Sequence, residues 1–256
     1  MNREQTTLLI QGVRYTKQIL LEDVNIPYKL TCDKTNNHLY FCINADEFSE
    51  HSFHVVDLDL DSGSPYVIPG VRNGFASAVD QETGTVYIGA SDGIWQYDQT
   101  TKRVKPPRLV SNVDILDMFF CNHLFFVQTS NQKLYEYDGM EERIVSKMEK
   151  YLMEHFIFDS CGDLFFVNRG GLFHLAKGTK VPSLNVDSDM NFRGAAINKN
   201  GDPYFISDTG IYSIDKGSER LRKIAQISNG YGLAFDCNDN IIYSDERTLN
   251  ILIQDK

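Results

Sequence analysis

Nowhere in the 256 residues is there a run of ~18 apolar residues, so the chain offers no helix able to cross a membrane. Grouped cysteines are missing too. Cys32, Cys42, Cys121, Cys161 and Cys237 are odd in number and form neither a CxxC pair nor a Cys/His cluster at zinc spacing, which excludes the usual structural zinc sites. Positive charge is scarce and scattered. The 25 Lys and Arg face 35 Asp and Glu, a net charge of −10, and the basic residues stand as singles or short pairs such as Lys102–Arg103. Phosphate backbones and anionic lipid repel such a body, so neither nucleic acid nor a membrane is expected as a partner. There is no Gly-x-Ser-x-Gly elbow, no glycine-rich phosphate loop and no His-Glu-x-x-His pair. The six histidines (His38, His51, His54, His123, His155, His174) are dispersed. The N-terminal Met-Asn-Arg-Glu-Gln has no apolar h-region, and no Asn-x-Ser/Thr sequon occurs. The reading is either a cytoplasmic protein or a mature chain behind a supplied Met.

What is abundant is apolar and aromatic. Hydrophobic residues make up 42 % and aromatics 12 %, with 13 Tyr and 16 Phe beside one Trp, which excludes a disordered chain and favours sheets over helices. One unit recurs: an apolar run, a polar turn, an aromatic run, a short loop, then an alternating run that often ends in Asp. Ala78 to Asp98 and Gly194 to Asp215 are its clearest copies. The middle run supplies a ruler, Tyr40, Tyr87, Phe125, Phe165, Tyr204 and Ile242, with intervals of 47, 38, 40, 39 and 38 residues. Asp46 to Ser52 reads as a loop inserted in the first, longer interval. Six copies of short alternating strands at this period predict an all-β, six-bladed β-propeller, one domain over residues 1–256. The last copy stops after three runs, so Lys17 to Val24 is expected to supply its fourth strand and close the ring. Met140 to Glu154 carries charges at helical spacing (Glu142, Lys147, Lys150) and reads as a helix or, preferably, as an outer strand followed by a long loop. Cys121 and Cys161 fall in equivalent turns of adjacent blades, beyond disulfide reach. Cys32 and Cys237 fall near the ends of neighbouring inner strands, where pairing is conceivable, but buried free thiols are the default.

Loops at one mouth of a propeller channel form its usual site. The segments leading into the inner strands bring Tyr28, Asn73, Phe75, His155, Phe156, Phe192, Arg193 and Tyr231 to one mouth. The loops between second and third strands add Arg169. Aromatic rings there would stack on a flat ligand, gaining ~0.5–1.5 kcal/mol per good pair, and Arg169 and Arg193 could pair with a carboxylate. For any single ring, a hydrophobic plug between blades is the plainer role. His155, alone near the mouth, reads more simply as structural. Asp92, Asp208 and Asp245 recur at corresponding loops, where they could hold Ca²⁺ or, more plainly, cap loop amides.

Two resemblances follow from these segments. Asn229-Gly230-Tyr231-Gly232-Leu233-Ala234-Phe235-Asp236 with Ile242-Tyr243-Ser244-Asp245 resembles the repeats of gluconolactonase and senescence-marker-type hydrolases. That family holds a divalent metal with a Glu, an Asn and an Asp. Asn229 and Asp245 match two of these, but Asn25, two residues before Pro27, stands where the Glu belongs. The stronger resemblance is to the insect ommochrome-binding proteins, carried by Ala78-Val79-Asp80 through Asp98, by Asp163 to Gly170, and by Val24 to Leu30. It implies a secreted haemolymph carrier, shown as its mature chain, of phenoxazinone pigments that are flat, conjugated and bear amino-acid carboxylates. The expectation is thus a monomeric, non-catalytic pigment-binding protein that needs no cofactor or metal. A metal-dependent lactonase-like hydrolase is the alternative.

Overall fold

Each of the six ruler residues lies in the second strand of an antiparallel sheet: His38–Asn44, Thr85–Ala90, His123–Gln128, Leu164–Asn168, Pro203–Ser207 and Ile241–Ser244. The computed structural model describes residues 6–10, 12–46, 49–186, 190–215 and 220–255. Its sheets are six blades, numbered here from the one that begins at Tyr28. The inner strands are Tyr28–Asp33, Ala76–Asp80, Ile115–Cys121, His155–Phe158, Phe192–Ile197 and Leu233–Phe235. Part of the predicted insertion, residues 47–48, lies outside the described residues.

Period-2 alternation sends successive side chains of each strand into opposite neighbouring interfaces. The core is accordingly divided. One apolar cluster fills each of the six blade–blade interfaces, including that between blades 6 and 1. Phe156 thus packs between blades 3 and 4, while its neighbour Ile157 packs between blades 4 and 5.

Closure follows the expected route with one addition. The strand that pairs with Leu249–Gln254 is Val13–Leu21, which starts and ends earlier than the predicted Lys17 to Val24. Beyond it lies a fifth strand, Thr6–Ile10, which the repeat did not foretell because no other blade has one among the described residues. Its Ile10 is buried against blades 5 and 6. The seam is also tied by polar contacts, since Ser244 Oγ donates to Pro27 O at 2.7 Å and accepts from Gly232 N–H at 2.8 Å.

The turn residues explain the period. Asp33, Asp159, Asn198 and Asp236, just after or at the ends of inner strands, accept amide N–H groups of the turns that follow. Asp59, Asp98 and Asp138, at or after the third strands, do the same. Such Asx turns are local and sequence-encoded. Gly93 (φ +136°) and Gly210 (φ +155°) open third strands where a Cβ would lie 2.0 Å from Val110 O and 2.4 Å from Ala225 O. Only glycine fits there. Met140 to Glu154 resolves into the outer strand Glu142–Ile144, a 3₁₀ turn Ser146–Met148 and loop.

Candidate functional site

In three alternate blades the inner strand breaks register near its leading end: between Tyr28 and Thr31, between Ile115 and Asp117, and between Phe192 and Gly194. A bulge turns a side chain away from the interface it would otherwise enter. These three place Lys29 (φ +51°), Asp117 and Arg193 at one end of the channel.

Lys29 reaches across the axis. Its Nζ lies 3.0 Å from Asp117 Oδ1 on blade 3, 2.9 Å from His155 Nδ1 on blade 4 and 3.2 Å from Glu154 O. The side chains of Lys29, Asp117 and His155 are only 7 %, 12 % and 17 % exposed, so the cluster is desolvated. Asp117 also accepts the N–H groups of Met118 (3.1 Å) and Phe156 (3.2 Å). Burial lowers the Lys29 ammonium from its ordinary range, against the pull of Asp117. Burial, then the Lys29 charge, lowers His155 and favours its neutral form. Burial alone would raise Asp117; Lys29 and His155 beside it carry the carboxyl below its usual range.

Above this cluster stands a rim of rings. Tyr28 meets Tyr231 edge-on at 5.5 Å and Phe75 at 6.1 Å, and Phe75 meets Phe53 at 4.9 Å. The Arg193 guanidinium lies over Tyr231 at 4.4 Å, and Lys29 Nζ is 5.8 Å from the Phe75 ring centre. Arg193 Nη1 is sealed from solvent without a hydrogen-bond partner among the described residues.

Of the residues expected at this mouth, Tyr28, Phe75, His155, Arg193 and Tyr231 come together. Four do not. Phe156 and Phe192, read as loop residues, already belong to inner strands, Phe192 just ahead of its bulge, and both are buried between blades at 2 % and 3 % exposure. Asn73 turns outward and accepts Ser52 N–H at 2.6 Å, bracing the inserted loop. Arg169 is exposed at the tip of the hairpin joining Leu164–Asn168 to Gly171–Leu175. Lys29 and Asp117 were missed. The available signal was Asp117 itself, an acid inside the apolar run Ile115-Leu116-Asp117-Met118-Phe119-Phe120, since such a group is rarely buried without a partner.

Below the cluster the axis holds a chamber of about 140 Å³. Lys29, Asp117 and His155 form its inner end, and its wall is mostly apolar, with Met118, Phe119, Ile157 and Ala195. At the other end stand Lys34 and the exposed Gln81. Cys32 is in the wall, but burial, with Asp236 nearby, pushes its thiol up to about 12, far from a reactive thiolate. All five cysteines are free; Cys32 and Cys42 are buried as expected, whereas Cys161 and Cys237 are exposed.

Of the loop positions matched to a hydrolase metal site, Asp245 is engaged in its own turn, whereas Asn25 and Asn229 use only their amide nitrogens. Asp245 spends its carboxylate on Arg247 N–H, Thr248 N–H and the Thr248 hydroxyl. Asn25 donates to Asn44 O, and Asn229 donates to Glu246. Asp92 is likewise engaged, by Trp95 Nε1 and Arg108.

The chain matches no family model. It is similar to solved propellers at low identity. A gluconolactonase of Xanthomonas campestris superposes with a TM-score of 0.72 at 12 % identity, covering 96 % of this chain and 91 % of that one. The calcium-binding protein regucalcin of Agrobacterium tumefaciens gives 0.68 at 14 % identity, covering 94 % of each. These likenesses establish the fold alone. Sequence similarity goes further, because the ommochrome-binding protein of Manduca sexta is 32 % identical over 257 residues, spanning 96 % of this chain and 90 % of that protein. The chain belongs to the ommochrome-binding protein family.

Proposed function

We propose that the protein is a non-catalytic carrier that binds an ommochrome, a flat phenoxazinone-type pigment, at the rim of its channel. The name of the Manduca sexta relative supports a pigment-binding role. One observation on this chain carries the placement: the Arg193 guanidinium is already stacked on Tyr231, and its Nη1 is buried with no partner. A buried donor left unmade costs ~1–3 kcal/mol, and a pigment carboxylate would satisfy it. Tyr28, Tyr231 and Phe75 would meet the conjugated rings, with His155 beneath them. In this reading no cofactor or metal is needed, and the protein is secreted into haemolymph and acts as a monomer.

The test is titration with xanthommatin followed by visible absorption and gel filtration. A pigment band that stays with the protein is expected. Arg193→Ala should weaken binding about tenfold or more, the loss of one charge-assisted hydrogen bond, whereas Arg169→Ala should leave it within about twofold. Absence of a retained band, or equal effects of the two substitutions, overturns the reading. Metal-dependent lactone hydrolysis would instead establish the hydrolase.

A further inference from the structure

The contacts of Lys29 favour one tautomer of His155. An ammonium has three N–H donors, and Lys29 directs them at Asp117 Oδ1, Glu154 O and His155 Nδ1. Toward a Lys29 ammonium at 2.9 Å His155 Nδ1 is the acceptor, and the longer 3.6 Å approach of Asp117 Oδ2 to the same nitrogen is the competing contact. By this hydrogen-bond pattern the neutral ring carries its hydrogen on Nε2, which has no partner among the described residues. His155 lines the axial chamber. So does Ser77, 4 % exposed; its hydroxyl has no hydrogen-bond partner but is closed off from the free space of the chamber as the side chain stands, and meets a guest by rotation about χ1. The chamber is otherwise mostly apolar, and few convergent polar groups in an apolar cavity are the mark of a small-molecule site. Its size selects the guest. An apolar cavity of about 150 Å³ in another protein takes one benzene ring, and this one measures about 140 Å³. Three fused rings exceed it, which separates the chamber from the pigment rim above.

We propose that the axial chamber is a second binding site, for a neutral single-ring aromatic molecule with one hydrogen-bond acceptor, which the His155 Nε2–H and the Ser77 hydroxyl recognise. Lys29 and Asp117 act as positioning residues that fix the imidazole tautomer. The guest enters past Lys34 and Gln81, at the end away from the rim.

The probes are acetophenone and ethylbenzene, which share size and differ in the carbonyl acceptor. Titrated calorimetrically into the full chain, acetophenone should bind at one site and ethylbenzene about five- to tenfold more weakly, the worth of one hydrogen bond. In long-range ¹H–¹⁵N spectra His155 should show a protonated Nε2 before addition, and acetophenone should shift it. Ser77→Ala and His155→Phe should each narrow the preference for acetophenone, and the two together should abolish it. Should the His155 variant not fold, Ser77→Ala and the spectra decide. Equal affinities for the two probes, no binding of either at millimolar concentration, or a protonated Nδ1 would overturn the proposal. No pigment is involved, so the outcome is independent of the carrier reading.

Discussion

Lys29 and Asp117 show how one charge pair can be both costly and indispensable. Burying either ion costs several kcal/mol, which their contact and the amide hydrogen bonds to Asp117 offset. Asp117→Asn leaves the Lys29 charge buried without its counter-ion. It should destabilise the protein by ~3–5 kcal/mol, roughly 10 °C in thermal midpoint for a chain of this size. Adding Lys29→Met should restore part of the loss, and calorimetry of the four proteins in that cycle would measure the coupling. His155 gives the pH dependence. Its folded pKa lies below the ordinary 6.5, under burial and the Lys29 charge, with Asp117 and Glu154 pulling the other way. Above 6.5 both folded and unfolded states are neutral at this ring and stability is full. Below it the unfolded chain takes the proton first, and stability falls until the folded pKa is passed. In thermal melts between pH 7 and 5, any advantage of the wild type over His155→Gln should therefore shrink with acid; parallel curves would show that this ring does not titrate between the states.

At the scale of elements, the fold was legible because its punctuation is local. An Asp or Asn near a strand end and a glycine opening the third strand each act within a few residues, and they repeat about every 40. The bulges carry no such signal, so Lys29 was hidden within an ordinary-looking run, Tyr28-Lys29-Leu30-Thr31-Cys32. Misreading two strand starts as loops likewise put Phe156 and Phe192 at the mouth instead of between blades. The closing strand yields an element-scale prediction. Gln18 pairs with Ile251 and its side chain is exposed, so Gln18→Pro removes a backbone donor with little loss of side-chain burial. We expect a loss of about 2–3 kcal/mol, roughly 5–10 °C. Hydrogen exchange should accelerate in Ile241–Ser244 and Leu249–Gln254 and stay slow in blade 3. Uniform acceleration around the ring would mean that the seam is not a separate unit of opening.

For the whole molecule, the ring brings together what the chain keeps apart. Lys29 and His155 stand 126 positions apart in sequence, and only the order of six blades sets them at one end of one axis. No motif search can see such a pair, whereas Tyr28, Phe75 and Tyr231 could be inferred because equivalent positions in a repeat share a mouth. The acidic balance of the chain also takes on a local meaning at this scale. Many of its carboxylates cap turns around the periphery, while a lysine occupies the centre. A positive charge held there by a dissociable ion would vary with the ionic makeup of the surrounding fluid and would vanish in a chelator. Carried on a side chain, the group that bears it is present once in every copy from the moment the ring closes, and only proton exchange at Lys29 and His155 can alter it.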